Sequence, residues 1–261
     1  MTPDWTHLDR ELARWRTAGQ TLPLWWRDDD AVSPSAALDR LAALAGARGI
    51  PVHLAVIPNA ATQALGDYLH NAPNLIPVVH GWAHLSHAAR GDKKCEFAPQ
   101  RPLADMRAEA ANGLARLTDL FGSRLTRMFV PPWNRIAPQM VDELAGLGYH
   151  ALSTFTPREA PLAALGLAQI NTHLDPIAWK DGGGLLNPDT LIAQVVRQLT
   201  DRRTGRADNT EPYGILTHHL VHDAAIWDFT DALLIRLIAG PSHLWTTAEP
   251  TPGPTQKDTT P

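Results

Sequence analysis

The feature that most constrains this chain is an alternation of two periodicities. Short apolar runs stand at 22–27 (LPLWWR), 51–57 (PVHLAVI), 75–79 (LIPVV), 126–130 (TRMFV), 149–154, 168–171, 213–217 (YGILT) and 243–247. Most are separated by stretches with helical spacing, clearest at 35–48, 102–121, 138–147, 188–200 and 228–239. Strands that alternate with helices pair in parallel, because a parallel neighbour needs a crossover long enough to hold a helix. Seven or eight such units in 261 residues suit one β/α barrel, with a doubly wound open sheet as the competing arrangement. Residues 5–18 precede them as an amphipathic helix, with Leu8, Leu12 and Trp15 at helical spacing. The link 155–171 is too short and too Pro-rich for a full helix, which predicts an irregular barrel at that point. Three segments result: an N-terminal helix packing on the barrel at 1–20, the barrel at 21–247, and a disordered Pro/Thr-rich tail at 248–261.

Composition narrows the partners. With 44% hydrophobic residues the chain can bury a sizeable core. A net charge of −4, with neither a basic stripe nor a long acidic run, gives no support to nucleic acid or an anionic membrane as a partner. The single cysteine, Cys95, excludes an internal disulfide. The first residues are charged and lack the apolar run of a signal peptide, and no stretch approaches the ~20 apolar residues that span a bilayer. A cytoplasmic location is therefore the expectation.

Reactive side chains collect where the apolar runs end. Run 22–27 leads into Asp28, Asp29 and Asp30, run 75–79 into His80, run 126–130 into Pro131, Pro132, Trp133 and Asn134, and run 213–217 into His218 and His219. In a β/α barrel the C-terminal ends of the strands form the active-site face. His80-Gly81-Trp82-Ala83-His84 puts two imidazoles four residues apart, a spacing that brings them to one side of a helical turn and suits a tetrahedral metal. The competing reading is a pair of solvated loop histidines, in a chain that has 12. Three adjacent carboxylates repel one another and need a cation or hydrogen bonds to compensate. They could instead cap the helix at 35–48, but Ser33 and Ser35 are better placed for that.

In this order, strand–Asp–Asp, HxxxH, an aromatic-flanked Pro loop and a hydrophobic strand ending in His, the chain resembles the polysaccharide deacetylases (carbohydrate esterase family 4, the NodB-homology fold) over roughly residues 20–245. The resemblance implies an α/β fold, a deformed (β/α)7 barrel. It also implies one divalent metal ion, zinc first, with Co2+, Mn2+ or Ni2+ as alternatives. By that pattern His80 and His84 are metal ligands, and one Asp is the general base while the next binds metal. The triplet leaves the register open. Asp29 as base with Asp30 as ligand is preferred, because Arg27 then stands two residues before the pair, as in related R-x-D-D sequences. The other register makes Asp28 the base and Asp29 the ligand.

The third motif departs from the family. The Arg that orients the base is missing before Pro131, leaving Arg135 or Arg27 to replace it. Pro132, Trp133 and Asn134 are expected along the substrate groove. His218 is the implied general acid, with His219 and His222 as neighbouring alternatives. Asp175 and Trp179 resemble a fourth motif, in which the Asp orients that His and the Trp walls the pocket. The charged stretch 91–97 reads as a lid loop without an assigned role. The implied activity is removal of an N-acetyl or related acyl group from a sugar or glycoconjugate, with a small molecule or oligosaccharide as the substrate. The alternatives are an allantoinase-like amide or ureide hydrolase, and a barrel that binds metal or ligand without catalysis.

Overall fold

The computed structural model describes residues 3–247. The tail expected at 248–261 lies outside the described residues. The chain opens with α1 (Thr6–Thr17), β1 (Leu22–Ala31), α2 (Ala36–Arg48), β2 (Val52–Val56), α3 (Gln63–His70), β3 (Leu75–His80) and α4 (Leu103–Phe121). It continues through β4 (Met128–Val130), α5 (Pro138–Leu144), β5 (Ala151–Leu152), β6 (Leu162–Ala164) and β7 (Leu167–Gln169). It ends with α6 (Pro188–Arg203), β8 (Tyr213–Thr217), α7 (Ala224–Ala239) and β9 (Ser242–Leu244).

The strands form one sheet in the order β6-β7-β5-β4-β3-β2-β1-β8, with β9 pairing the start of β1. Every pairing is parallel except β6–β7. This is the deformed (β/α)7-type barrel, with a sheet that does not close. An isolated parallel bridge, Leu174 to Ile215, spans the gap between the residues after β7 and β8. The irregularity expected at 155–171 is the β6–β7 hairpin, which stands where a helix would otherwise lie.

Two apolar layers divide the side chains. Trp25, Ala55, Val78, Met128, Val130, Ala151 and Ile170 meet inside the barrel, while a much larger core lies between the strands and the helices. Successive strand residues point to opposite faces. On β1, Trp25, Arg27 and Asp29 therefore face inward, and Leu24, Trp26 and Asp28 face the helical layer. The indole of Trp25 plugs the interior below Arg27, with His53 at its edge (5.3 Å) and Trp245 stacked on His53 (5.6 Å).

The helices follow their local chemistry. Ser35 caps α2 by accepting from the Leu38 amide (3.1 Å), as its position suggested. Asn187 and Asp223 cap α6 and α7 in the same way. Leu8, Leu12 and Trp15 bury one face of α1, Arg203 of α6 pairs with Glu11 (2.6 Å), and Trp5 stacks on Phe229 of α7 (5.4 Å). Helix α3 was not anticipated. Its Thr62 cap and its buried Leu65 and Leu69 carry only two turns of pattern. No helix among the described residues is long and apolar enough to cross a membrane.

Candidate active site

Strand β1 reaches the mouth of the barrel and loses its regular register with β2 between Asp28 and Ala31. Asp30 adopts a left-handed backbone (φ 75°), costly for a residue with a Cβ. In a regular strand Asp29 and Asp30 would face opposite sides. The irregularity turns both into one cleft of about 790 Å3. Four of the five non-glycine residues with positive φ, Asp30, His84, Trp133 and Asn134, line this cleft, so the local backbone strain gathers there.

Asp28 goes the other way. It is fully buried in the helical layer, accepting from Thr217 Oγ1 (2.6 Å) and from the His219 amide (3.0 Å), with His219 Nδ1 at 2.5 Å. It thereby ties the turn after β8 to β1. Asp28 and His219 are not cleft residues, so the register with Asp28 as base and the use of His219 as an acid lack the geometry they need.

Asp30 Oδ1 lies 3.0 Å from His80 Nε2 and 3.3 Å from His84 Nε2. The donor atoms of these three residues all lie within 4.8 Å of one another, and this is the only such group among the described residues. His80 Nδ1 sits 2.9 Å from the Val130 carbonyl, which accepts its N–H and leaves Nε2 to face the carboxylate. A lone pair turned toward a carboxylate needs a proton or a cation between them. Burial lowers the His80 pKa, but the charges of Asp29 and Asp30 outweigh it and raise the value. Burial would likewise raise the Asp30 carboxyl, yet the His80 hydrogen bond and the charges of His80, His218 and His84 hold it well below the usual carboxylate range. One carboxylate and two imidazoles around one point fit a divalent metal of the zinc type.

His80 and His84 do not meet on a helical turn, as their spacing suggested. His80 ends β3, and His84 stands in an irregular loop with φ 57°. Two features build that loop. Gly81 takes φ 55°, with Glu96 and Pro132 occupying the space a Cβ would need. The Glu96 carboxylate, only 1% exposed, accepts from the amides of Trp82 (3.0 Å) and Ala83 (2.7 Å). Stretch 91–97 is thus not simply a charged lid: Cys95, Glu96 and Phe97 are buried. Sequence reading missed Glu96. The signal available was a carboxylate flanked by Cys95 and Phe97, an apolar setting in which an acid needs donors. His87 lies outside the metal-type group and is exposed.

Of the two arginines that could stand in for the missing third-motif Arg, it is Arg27 of β1 that contacts Asp29. Arg27 is completely buried. It holds Asp29 through Nε (2.9 Å) and Nη2 (2.9 Å), and also donates to Asn134 Oδ1 (2.7 Å) and Ser153 Oγ (2.8 Å). Arg135 points elsewhere, donating to the Lys94 carbonyl (3.0 Å). Pro132 is buried behind the cleft against Gly81, so it shapes the wall without facing the opening. Trp133 lines the cleft beside His84, with ring centroids 4.4 Å apart.

His218 directly follows β8, the neighbour of β1, and stands beside Asp29, Nε2 to Oδ2 4.0 Å. Asp175 does not reach His218 directly, contrary to the resemblance. Its two oxygens are taken by the Trp179 indole N–H (2.8 Å) and the Ile177 amide (3.0 Å). Trp179, half exposed, packs edge-to-face against His218, ring centroids 4.7 Å apart, and stands between it and Asp175 in the chain of contacts. Burial raises the Asp175 carboxyl. His222 is kept neutral by burial, at about 4, and its Nε2 accepts from the His218 amide (3.3 Å).

No protein-family model and no curated protein matches the chain in sequence. Solved structures do match. A family 4 carbohydrate esterase from Streptomyces lividans in complex with acetate is 13% identical, with a TM-score of 0.55 over 87% of this chain and 93% of that one. A family 4 acetyl xylan esterase from Clostridium thermocellum in complex with a cobalt ion gives 0.50 at 11% identity, over 85% and 86%. The peptidoglycan deacetylase PdaC from Bacillus subtilis gives 0.51 at 14% identity, over 86% and 87%. The chain has the family 4 carbohydrate esterase fold. Within that fold, Arg27 and Asp29 pair inside one strand.

Proposed function

We propose that this chain is a metal-dependent hydrolase that removes an N-acetyl or related acyl group from a sugar or glycoconjugate. The observation that carries the reading is the placing of Asp29 and His218 side by side in one cleft, 4.0 Å apart, next to the Asp30–His80–His84 group. Asp30, His80 and His84 would hold the metal, zinc by the donor set. A bound zinc ion polarises an acyl oxygen and lowers the pKa of its water toward ~7.

The remaining work falls to protein groups. Asp29, fixed by Arg27, accepts the proton of the attacking water. The two guanidinium contacts, both 2.9 Å, fix its orientation toward the cleft, where a positioned base is needed. His218, beside Asp29 in the same cleft, donates a proton to the departing nitrogen, which a poor amine leaving group requires. Trp133 and Trp179 wall the cleft with flat faces suited to a sugar ring. A cleft of about 790 Å3 suits one sugar or a short oligosaccharide. It also admits a cyclic amide or ureide, which belongs in the substrate panel.

Turnover of N-acetylated sugars by zinc-loaded protein tests the reading. Asp29→Asn should retain the metal and lose about 10²- to 10⁴-fold in kcat, the usual contribution of a positioned base. Full activity in that variant contradicts the assignment. Metal-loaded native protein inactive on amides, ureides and esters alike would leave a binding barrel.

A further inference from the structure

One end of the cleft carries charge that the chemistry above does not use. Lys94 and Arg135 both line it. The two belong together, because Arg135 Nη1 donates to the Lys94 carbonyl (3.0 Å), and the Lys94 ammonium lies over the Trp133 ring at 5.8 Å. Neither has a carboxylate within ion-pair distance among the described residues, although the chain as a whole is acidic.

Each carboxylate facing the cleft is already answered. Asp29 is held by Arg27, Asp30 by His80 and His84, and Asp175 by Trp179 and the Ile177 amide. Glu96, next in sequence to this corner, spends its oxygens on the amides of Trp82 and Ala83. Asp92 is exposed and makes no ion pair. Two cations left without counter-charges beside an aromatic wall make a ready site for an oxyanion. The site has a defined place: the Trp133 ring touches both ends, with its centroid 4.4 Å from that of His84 and 5.8 Å from the Lys94 ammonium. A sugar ring lying along Trp133 would therefore carry its acyl amide at the metal end and its oxyanion at the Lys94 end.

We propose that Lys94 and Arg135 form an anion subsite, and that the substrate is an N-acylated sugar bearing a phosphate or carboxylate about one ring away from the acyl group. The inference rests on the deacylase reading for the orientation of the sugar. The cation pair sets specificity and takes no part in bond breaking.

The test is calorimetric titration of zinc-loaded Asp29→Asn protein, which holds substrate without turnover. The ligands are N-acetylglucosamine, its 6-phosphate and N-acetylmuramic acid, with inorganic phosphate as the control for direct ligation of the metal. At least one anionic sugar should bind about tenfold or more tighter than the neutral one, and the two arms tell phosphate from carboxylate. In Lys94→Gln/Arg135→Gln that preference should vanish while neutral-sugar affinity stays unchanged, and any inorganic phosphate binding that survives the double change reports direct ligation of the metal. In the protein without those two changes, raising salt from about 50 to about 500 mM should weaken only the anionic ligand. Equal affinities, no binding of any anionic sugar, or a preference that survives the double change would overturn the proposal. Hydrolysis by native protein is scored separately. Turnover of neutral and anionic sugars alike removes only the anion subsite, whereas anion-selective binding with no hydrolysis removes the deacylase reading.

Discussion

A carboxylate inside a barrel is stable only with a counter-charge, and Asp29 has its own in Arg27, two residues earlier on the same face of β1. Removing one partner of such a buried pair leaves an uncompensated charge. Arg27→Met should therefore destabilise the fold by ~3–5 kcal/mol in urea denaturation. Arg27→Met/Asp29→Asn should recover much of that loss, and additive losses would mean the pair is not coupled. Glu96 works at the same scale on the backbone that carries His84. Glu96→Gln keeps one acceptor but turns an amide N–H toward the Trp82 and Ala83 amides. Its zinc affinity, read by chelator competition, should fall about 10- to 100-fold, as for other groups that orient a metal ligand. Unchanged affinity would make Glu96 a packing residue only.

At the scale of elements, the legible parts are those in which local pattern and global fold agree. All eight apolar runs carry strands, and the helix after β1 starts where Ser35 caps it. Ends of strands announced the cleft, because Asp30, His80, Asn134 and His218 all follow apolar runs and all line it. Two elements escaped. Helix α3 has too few buried positions to show a period. The His80–His84 turn looked helical by spacing, yet Gly81 and the buried Glu96, 15 residues apart in sequence, override that spacing through contacts no local pattern shows. The same holds for Asp28: adjacency suggested a third reactive carboxylate, and the pleat of β1 sends it to Thr217 and His219 instead. Which Arg stands beside Asp29 was open in the sequence, since only the barrel brings Ser153 and Asn134 around Arg27.

The whole molecule is closed at the end opposite the cleft by Trp25, His53 and Trp245. Full burial depresses the His53 pKa to about 4, so the native protein holds it neutral where an unfolded chain would take up a proton. The unfolded state then binds more protons between pH ~6.5 and ~4, so stability rises with pH through that window and falls on acidification. His53 should account for ~3 kcal/mol of the loss, and His53→Leu should flatten the pH dependence of the denaturation midpoint by that amount. An unaltered slope would place the acid sensitivity elsewhere.

The account depends above all on the Asp30–His80–His84 group holding a metal ion. Its most direct test is elemental analysis of purified protein beside its Asp30→Ala and His80→Ala variants. We predict about one equivalent of divalent metal in the parent and loss in both variants, with folding retained by circular dichroism. A parent that takes up no metal after reconstitution with zinc or cobalt, or variants that keep a full equivalent, would contradict it.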